Sequence, residues 1–138
     1  MIDIIVNPVA NGKKALKCAA AAEKRLKERG AEYRIHYTNA PKHATEIARE
    51  LSKTSDTIVA LGGDGTINEV FNGIDVDKVK LGLIPCGSGN DFVASANIPT
   101  NTEAAVDLIL DGEAKPTDFM VCGGVRGLNI IGTGIDVD

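Results

Sequence analysis

Glycine punctuates three short segments of this 138-residue chain: Asn7 to Gly12, Gly62-Gly63-Asp64-Gly65-Thr66, and Gly87-Ser88-Gly89-Asn90. A residue with no side chain lets backbone N–H groups come close to a ligand, and a helix that begins just after such a loop adds partial positive charge. Together these make a phosphate site. Two common glycine motifs are excluded by counting. A P-loop needs Gly-x-x-x-x-Gly-Lys and then Ser or Thr, but here Asn7 stands where the first glycine belongs and Lys14 follows Lys13. A dinucleotide fingerprint needs Gly-x-Gly-x-x-Gly, whereas Gly63-x-Gly65 leads to Asn68 and Gly87-x-Gly89 leads to Phe92. The informative oddity is Asp64, an acid in a loop suited to anions. Phosphoryl transfer would explain it, because a carboxylate can orient Mg2+ or accept the proton of an attacking hydroxyl. Asp-Gly is also an ordinary turn pair, and residue types alone do not choose between the two.

Other polar residues have plain structural readings beside functional ones. Thr66 and Glu69 have capping-box spacing, and Ser88 and Asp91 are spaced for another N-cap, so capping competes with ligand contact at each. Asn68 has no capping role, and Asn90 reads as a brace of its loop. His43, near a helix start, and His36, on a strand face, read as packing or surface residues rather than bases. Cys86 has no histidine near it in sequence and reads as a small core residue. Lys13 and Lys14 read as solvated lysines.

The elements that must carry these loops follow from periodicity. Ile2 to Val6 is a β-branched run that stops at Asn7-Pro8. Ala15, Cys18, Ala19, Ala22 and Leu26 recur at helical spacing between Lys13 and Arg29, with Gly30 placed to cap the end. Tyr33, Ile35 and Tyr37 alternate with polar residues as a half-buried strand does. Pro41 opens a helix with Ala44, Ile47, Ala48 and Leu51 on one face. Thr57 to Leu61 is continuously apolar, as in a strand covered on both sides. A helix is expected from Thr66 to Gly73, a strand over Leu81 to Ile84, a short helix over Asn90 to Ala96, and a helix capped by Thr100 to Glu103 and closed by Asp111-Gly112. Asp118 to Cys122 and Leu128 to Ile131 flank Gly123-Gly124 as a β-hairpin. Repeated strand, loop and helix predict an α/β fold: an open, mostly parallel sheet with flanking helices, ending in the hairpin. In such sheets the ligand crevice lies beyond the carboxyl ends of the strands, where all three glycine segments fall.

Composition sets the outer limits. Hydrophobic residues make up 43% and charged residues 25%, the balance of one globular domain, and no apolar run approaches the roughly 20 residues of a membrane span. The first residues have no secretory pattern, so the cytoplasm is expected. Fifteen basic and nineteen acidic residues give a net charge of -4, and aromatic residues are only 4%, a poor match to nucleic acid. Cys18, Cys86 and Cys122 form no Cys-x-x-Cys pair, so neither a disulfide framework nor a zinc site is expected.

Gly62-Gly63-Asp64-Gly65-Thr66 with Asn68-Glu69-Val70 and Asn72-Gly73, then Pro85-x-Gly87-Ser88-Gly89-Asn90-Asp91-Phe92, resembles the catalytic domain shared by diacylglycerol, sphingosine and bacterial lipid kinases. Asn7-Pro8, and Thr38 followed by His43-Ala44, are similar to the same family. The resemblance implies an NAD kinase-like fold and transfer of the γ-phosphoryl group of ATP, with Mg2+, to the free hydroxyl of a lipid such as diacylglycerol. By matching position, Asn7, Pro8, Thr38, Gly62, Gly63, Asp64, Gly65, Thr66, Asn68, Glu69, Gly87 and Ser88 would line the nucleotide site, with Asp64 as the catalytic carboxylate and no dedicated protein metal cage. It also implies transient contact with the inner membrane surface, and a second, β-rich lipid-site domain beyond residues 1–138. Two positions depart from the family pattern: Ala10-Asn11-Gly12 brings the first-loop glycine one residue late, and Val93-Ala94 stand where Ala-Arg is usual. The rival readings are an NAD kinase-like phosphotransferase, a non-catalytic nucleotide sensor, and an assembly module that self-associates through the hairpin near Phe119 to Cys122.

Overall fold

The apolar runs expected to be strands lie side by side in one sheet. The computed structural model describes residues 2–8, 14–40, 42–62, 64–75, 78–85, 102–111, 114–121 and 124–131. In chain order these form β1 (Ile2–Val6), α1 (Lys14–Glu28), β2 (Tyr33–Tyr37), α2 (His43–Leu51), β3 (Thr57–Gly62), α3 (Asp64–Gly73), β4 (Lys80–Pro85), α4 (Thr102–Asp111), β5 (Ala114–Val121) and β6 (Gly124–Ile131). The strand order is β2-β1-β3-β4-β6-β5; β5 runs antiparallel to β6, and every other neighbouring pair is parallel. The mostly parallel sheet and the terminal hairpin are therefore both present.

Alternation along β1 builds the two core layers. Ile4 and Val6 face α1 and α4, packing against Ala15, Ala19, Ala22, Leu26, Val106 and Ile109. Ile5 faces the other way, toward α2 and α3, among Ala44, Ala48, Ile67, Val70 and Phe71. The alanine stripe of α1 repeats every three or four residues, which is why one face of this helix is apolar while Lys14, Lys17 and the rest of the opposite face stay in water. Gly30 ends the unit with φ +69°, the left-handed conformation a helix C-terminus favours. Arg25 of α1 and Arg29 just beyond its end clasp Asp107 and Asp111 of α4, with Arg25 bidentate on Asp107 at 2.8 and 2.9 Å, so the two helices on this face are tied at the rim.

Three expectations need correction. Helix α3 begins at Asp64 and not at Thr66. The hairpin strands are eight residues each, because β5 takes in Lys115 and Pro116. Proline breaks a strand only where its missing N–H is needed, and β5 is an edge strand. Finally, Cys18 is disulfide-bonded, against the expectation of no disulfide; the other cysteines, like the short helix expected over Asn90 to Ala96, lie outside the described residues.

Candidate functional site

Parallel pairing puts the ends of the central strands in a row. Val6 is in register with Tyr37 of β2 and with Leu61 of β3, and Gly62 is in register with Pro85 of β4. One residue further along, Asn7, Thr38 and Gly62 stand level, and the Thr38 N–H donates to the Val6 carbonyl at 2.9 Å to hold the first two together. At about 4.8 Å per strand, the row from β2 to β4 is roughly 14 Å long. The order in which strands are added reverses at its centre. From β1 the chain crosses to β2 over the α1 face, while from β3 it crosses to β4 over the α3 face. The loops after β1 and β3 thus leave on opposite sides and open a crevice at the switch point.

The turn from β3 into α3 is the tightest part of this row. Gly62 has φ +150°, and a Cβ on it would lie 2.9 Å from Thr66 Oγ1. Only glycine accepts both that backbone and that neighbour. The hydroxyl responsible is 4% exposed, yet it has no hydrogen-bond partner among the described residues. This overturns its reading as the N-cap of a capping box: with α3 starting at Asp64, Thr66 already lies inside the first turn. Thr38, at 6% exposure, likewise has no side-chain partner among the described residues. A buried hydroxyl without a partner costs about 1–3 kcal/mol, and these two lie beside the same crevice.

Helix α3 supplies the complementary donors. Its first-turn amides have no acceptor within the helix, and no loop carbonyl takes them among the described residues. Gly65, second in that turn, is exposed, and a Cβ there would meet nothing within 4 Å. Neither packing nor a positive φ requires glycine here. What remains is access: a bare backbone at a helix N-terminus, open to an anion. Asn68 and Glu69 follow on α3 and are half-buried, as are Asn7 and Pro8 after β1. Gly63, Gly87, Ser88, Asn90, Cys86 and Lys13 lie outside the described residues. His43 has the packing role expected of it, since its Nδ1 accepts the Asn39 N–H at 3.0 Å and braces the loop after Thr38. The apolar gap lined by Ile2, Leu26, Val59, Val106 and Ile109 lies between sheet and helices and has no polar lining, so it is a packing gap and not a second site.

A second polar cluster sits at the opposite, amino-terminal end of the sheet, and the sequence reading missed it. Asp3 of β1 is 1% exposed and accepts hydrogen bonds from Ser55 Oγ, from Arg34 Nε at 2.9 Å and from His36 Nε2 at 3.0 Å. Burial pushes its pKa up, but the hydrogen bonds from Ser55, His36 and Arg34 and the Arg34 charge outweigh that and hold the carboxyl below its ordinary value. His36 is thus a partner of Asp3 rather than a bare surface residue. The sequence signal was an acid inside an apolar strand, with Arg34 and His36 two apart on a neighbouring strand. The cluster ties β1, β2 and the entry to β3 at the end of the sheet away from the crevice.

Comparison with known proteins agrees with this geometry. Residues 2–122 match the model of the diacylglycerol kinase catalytic domain. A diacylglycerol kinase of Bacillus subtilis (strain 168) is 36% identical over 135 residues, 95% of this chain and 45% of its own length. One from Staphylococcus saprophyticus is 36% identical over 119 residues, 84% of this chain and 39% of its own. The crystal structure of a diacylglycerol kinase from Bacillus anthracis str. Sterne superposes with a TM-score of 0.65 at 31% identity, covering 85% of this chain and 41% of that one. Another structure from the same organism superposes with a TM-score of 0.74 at 30% identity, over 85% of this chain and 43% of that one. The chain spans a little under half the length of the relatives it matches. With the family model covering most of its length and the strand-end crevice in place, the chain belongs to the diacylglycerol kinase catalytic domain family.

Proposed function

We propose that this domain binds ATP at the carboxyl ends of β1, β2 and β3 and serves a lipid kinase, transferring the γ-phosphoryl group to the hydroxyl of a lipid such as diacylglycerol. The observation that carries the reading is the pair of buried hydroxyls, Thr38 and Thr66, which have no side-chain partner among the described residues and flank the first-turn amides of α3. Triphosphate oxygens are acceptors for both kinds of donor. Gly62, Gly63 and Gly65 would let the phosphates approach the backbone, Asn7, Pro8, Asn68 and Glu69 would line the flanks, and Gly87 and Ser88 would complete the row after β4. Among the described residues no group of three or more His, Cys, Asp or Glu side chains converges on a metal position. That suits Mg2+, which binds through substrate phosphates and needs only one or two carboxylates from protein. When bound, the ion neutralises charge that builds on the transferring group.

In the proposed step the lipid hydroxyl oxygen bonds to the γ-phosphorus while the bond to the β–γ bridging oxygen breaks. Asp64, first residue of α3, takes the hydroxyl proton, and ADP leaves. The α3 amides stay fixed throughout and stabilise the phosphoryl charge without reorganising. The lipid's own contacts would come largely from the part of the relatives' length that this chain does not span. Acceptors of this kind sit in bilayers, and the membrane contact we propose is peripheral and transient; no helix among the described residues is long and apolar enough to cross a membrane. The test is phosphorylation of diacylglycerol in vesicles by full-length protein carrying this domain. Asp64→Asn should remove most turnover and leave ATP binding and the fold intact. Undiminished lipid phosphorylation would reject the catalytic assignment, and preferential phosphorylation of added NAD would replace the lipid by a ribose acceptor.

A further inference from the structure

Helix α3 carries the proposed phosphate site, and its seat on α2 is held by contacts that core packing alone does not require. Gly73, at the end of α3, lies so close to α2 that a Cβ on it would fall 2.1 Å from the Thr45 carbonyl oxygen and 2.9 Å from Ala48 Cβ. The helices therefore meet backbone to backbone, where a shift of even a few tenths of an ångström collides. One turn toward the site, the Thr45 hydroxyl donates to the Glu69 carbonyl at 2.6 Å. At the far end the Asp75 N–H donates to Ser52 Oγ at 3.0 Å. Two hydrogen bonds and a glycine seat thus fix how far α3 slides and how it turns on α2. A carbonyl in the second turn of α3 is bonded across to α2, so the first turn, Asp64 to Thr66, has little freedom to move.

We propose that Thr45 is a positioning residue for the nucleotide: through Glu69 and the Gly73 contact it sets the height and rotation of α3, so that the α3 amides and the Thr66 hydroxyl meet the phosphates. Thr45 itself touches no nucleotide. The inference rests on the reading that the start of α3 is the phosphate site, and it adds a residue outside that site.

The experiment compares the parent chain with Thr45→Val, Thr45→Ser and Ile109→Val for MgATP affinity by calorimetry and for thermal stability. Ile109 packs on the opposite face of the sheet, against Gly82 and the α1 layer, and serves as a control for general destabilisation. Thr45→Val keeps the shape and loses the hydroxyl. It should weaken MgATP binding about fivefold, the fold-change that goes with one ordinary hydrogen bond. Thr45→Ser should bind within about twofold of the parent, and Ile109→Val should bind like the parent despite a lower melting temperature. Hydrogen exchange across residues 64–69 should quicken in Thr45→Val and not in Ile109→Val. If the parent binds MgATP and Thr45→Val binds equally well, or Thr45→Ser is as weak as Thr45→Val, the positioning role is wrong while the site stands. If the parent fails to bind MgATP, the site itself is wrong and this inference falls with it.

Discussion

Gly65→Ala separates what the fold needs from what a ligand needs. The position is helical, its φ is negative, and an added Cβ would touch nothing within 4 Å. A glycine in such a place costs about 0.5–1 kcal/mol relative to alanine, because the unfolded chain has more freedom to lose. With an unfolding entropy near 2.1 cal/mol/K per residue, the variant should melt about 2–4 °C higher without ligand. Yet the same methyl would stand at the first turn of α3, where a phosphate has to reach bare amides, and we expect MgATP affinity to fall about tenfold, or ~1.4 kcal/mol. Thermal melts with and without nucleotide read both effects. At a concentration 100 times the parent's dissociation constant, MgATP should raise the parent's melting temperature by about 9 °C and that of Gly65→Ala by only about 5 °C. Opposite signs for stability and binding are the signature. A variant that binds as well as the parent, or that melts lower without ligand, would refute the claim that Gly65 is kept bare for an anion.

Thr66→Val should show the same opposition by another route: removing a buried hydroxyl that has no partner among the described residues leaves stability equal or about 1 kcal/mol higher, while MgATP affinity falls several-fold, as melts and calorimetry would show. Asp3→Asn should cost about 1–3 kcal/mol at neutral pH by chemical denaturation, because Arg34 loses the carboxylate charge and the donors Ser55, His36 and Arg34 keep only one of the two acceptor oxygens they share. The Asp3 pKa is lowered in the folded state, so its contribution is complete above the ordinary carboxylate value near ~3.9 and is lost as pH falls through the lower folded value. The parent should therefore lose stability on acidification in that window, and Asp3→Asn should lose less of it; parallel acid profiles would contradict the cluster's role.

Much of this architecture is legible in the sequence because period and punctuation agree. The continuous apolar run at Thr57 to Leu61 could only be a covered strand, and the Ala15-Ala19-Ala22-Leu26 stripe is one face of a helix. The row of Asn7, Thr38 and Gly62 is legible too, since each follows directly on a strand and the strands are parallel. Other features depend on distances no sequence pattern encodes. Capping-box spacing at Thr66 suggests a helix start, but the left-handed Gly62 turns the chain early enough for α3 to begin at Asp64, which places Thr66 inside the first turn. The hairpin strand expected from Asp118 begins at Ala114 and takes in Pro116, which a strand tolerates at a sheet edge. Asp3 and its partners come from residues more than 30 apart, and only the strand order places Arg34, His36 and Ser55 around the acid. The close contact of Gly73 with Thr45 belongs to the same class: the glycine is visible, and the reason for it is not.

The central claim is that ATP phosphates lie across the carboxyl ends of β1, β2 and β3 at the start of α3. Backbone amide shifts of the isotope-labelled chain, followed as MgATP is added, test it residue by residue. The account predicts the largest changes at Asn7, Thr38 and Gly62 through Glu69, with Asp3, Arg34 and Ser55 at the other end of the sheet unmoved. Saturable shifts centred on that other end or on α4, with the β3–α3 turn silent, would contradict it.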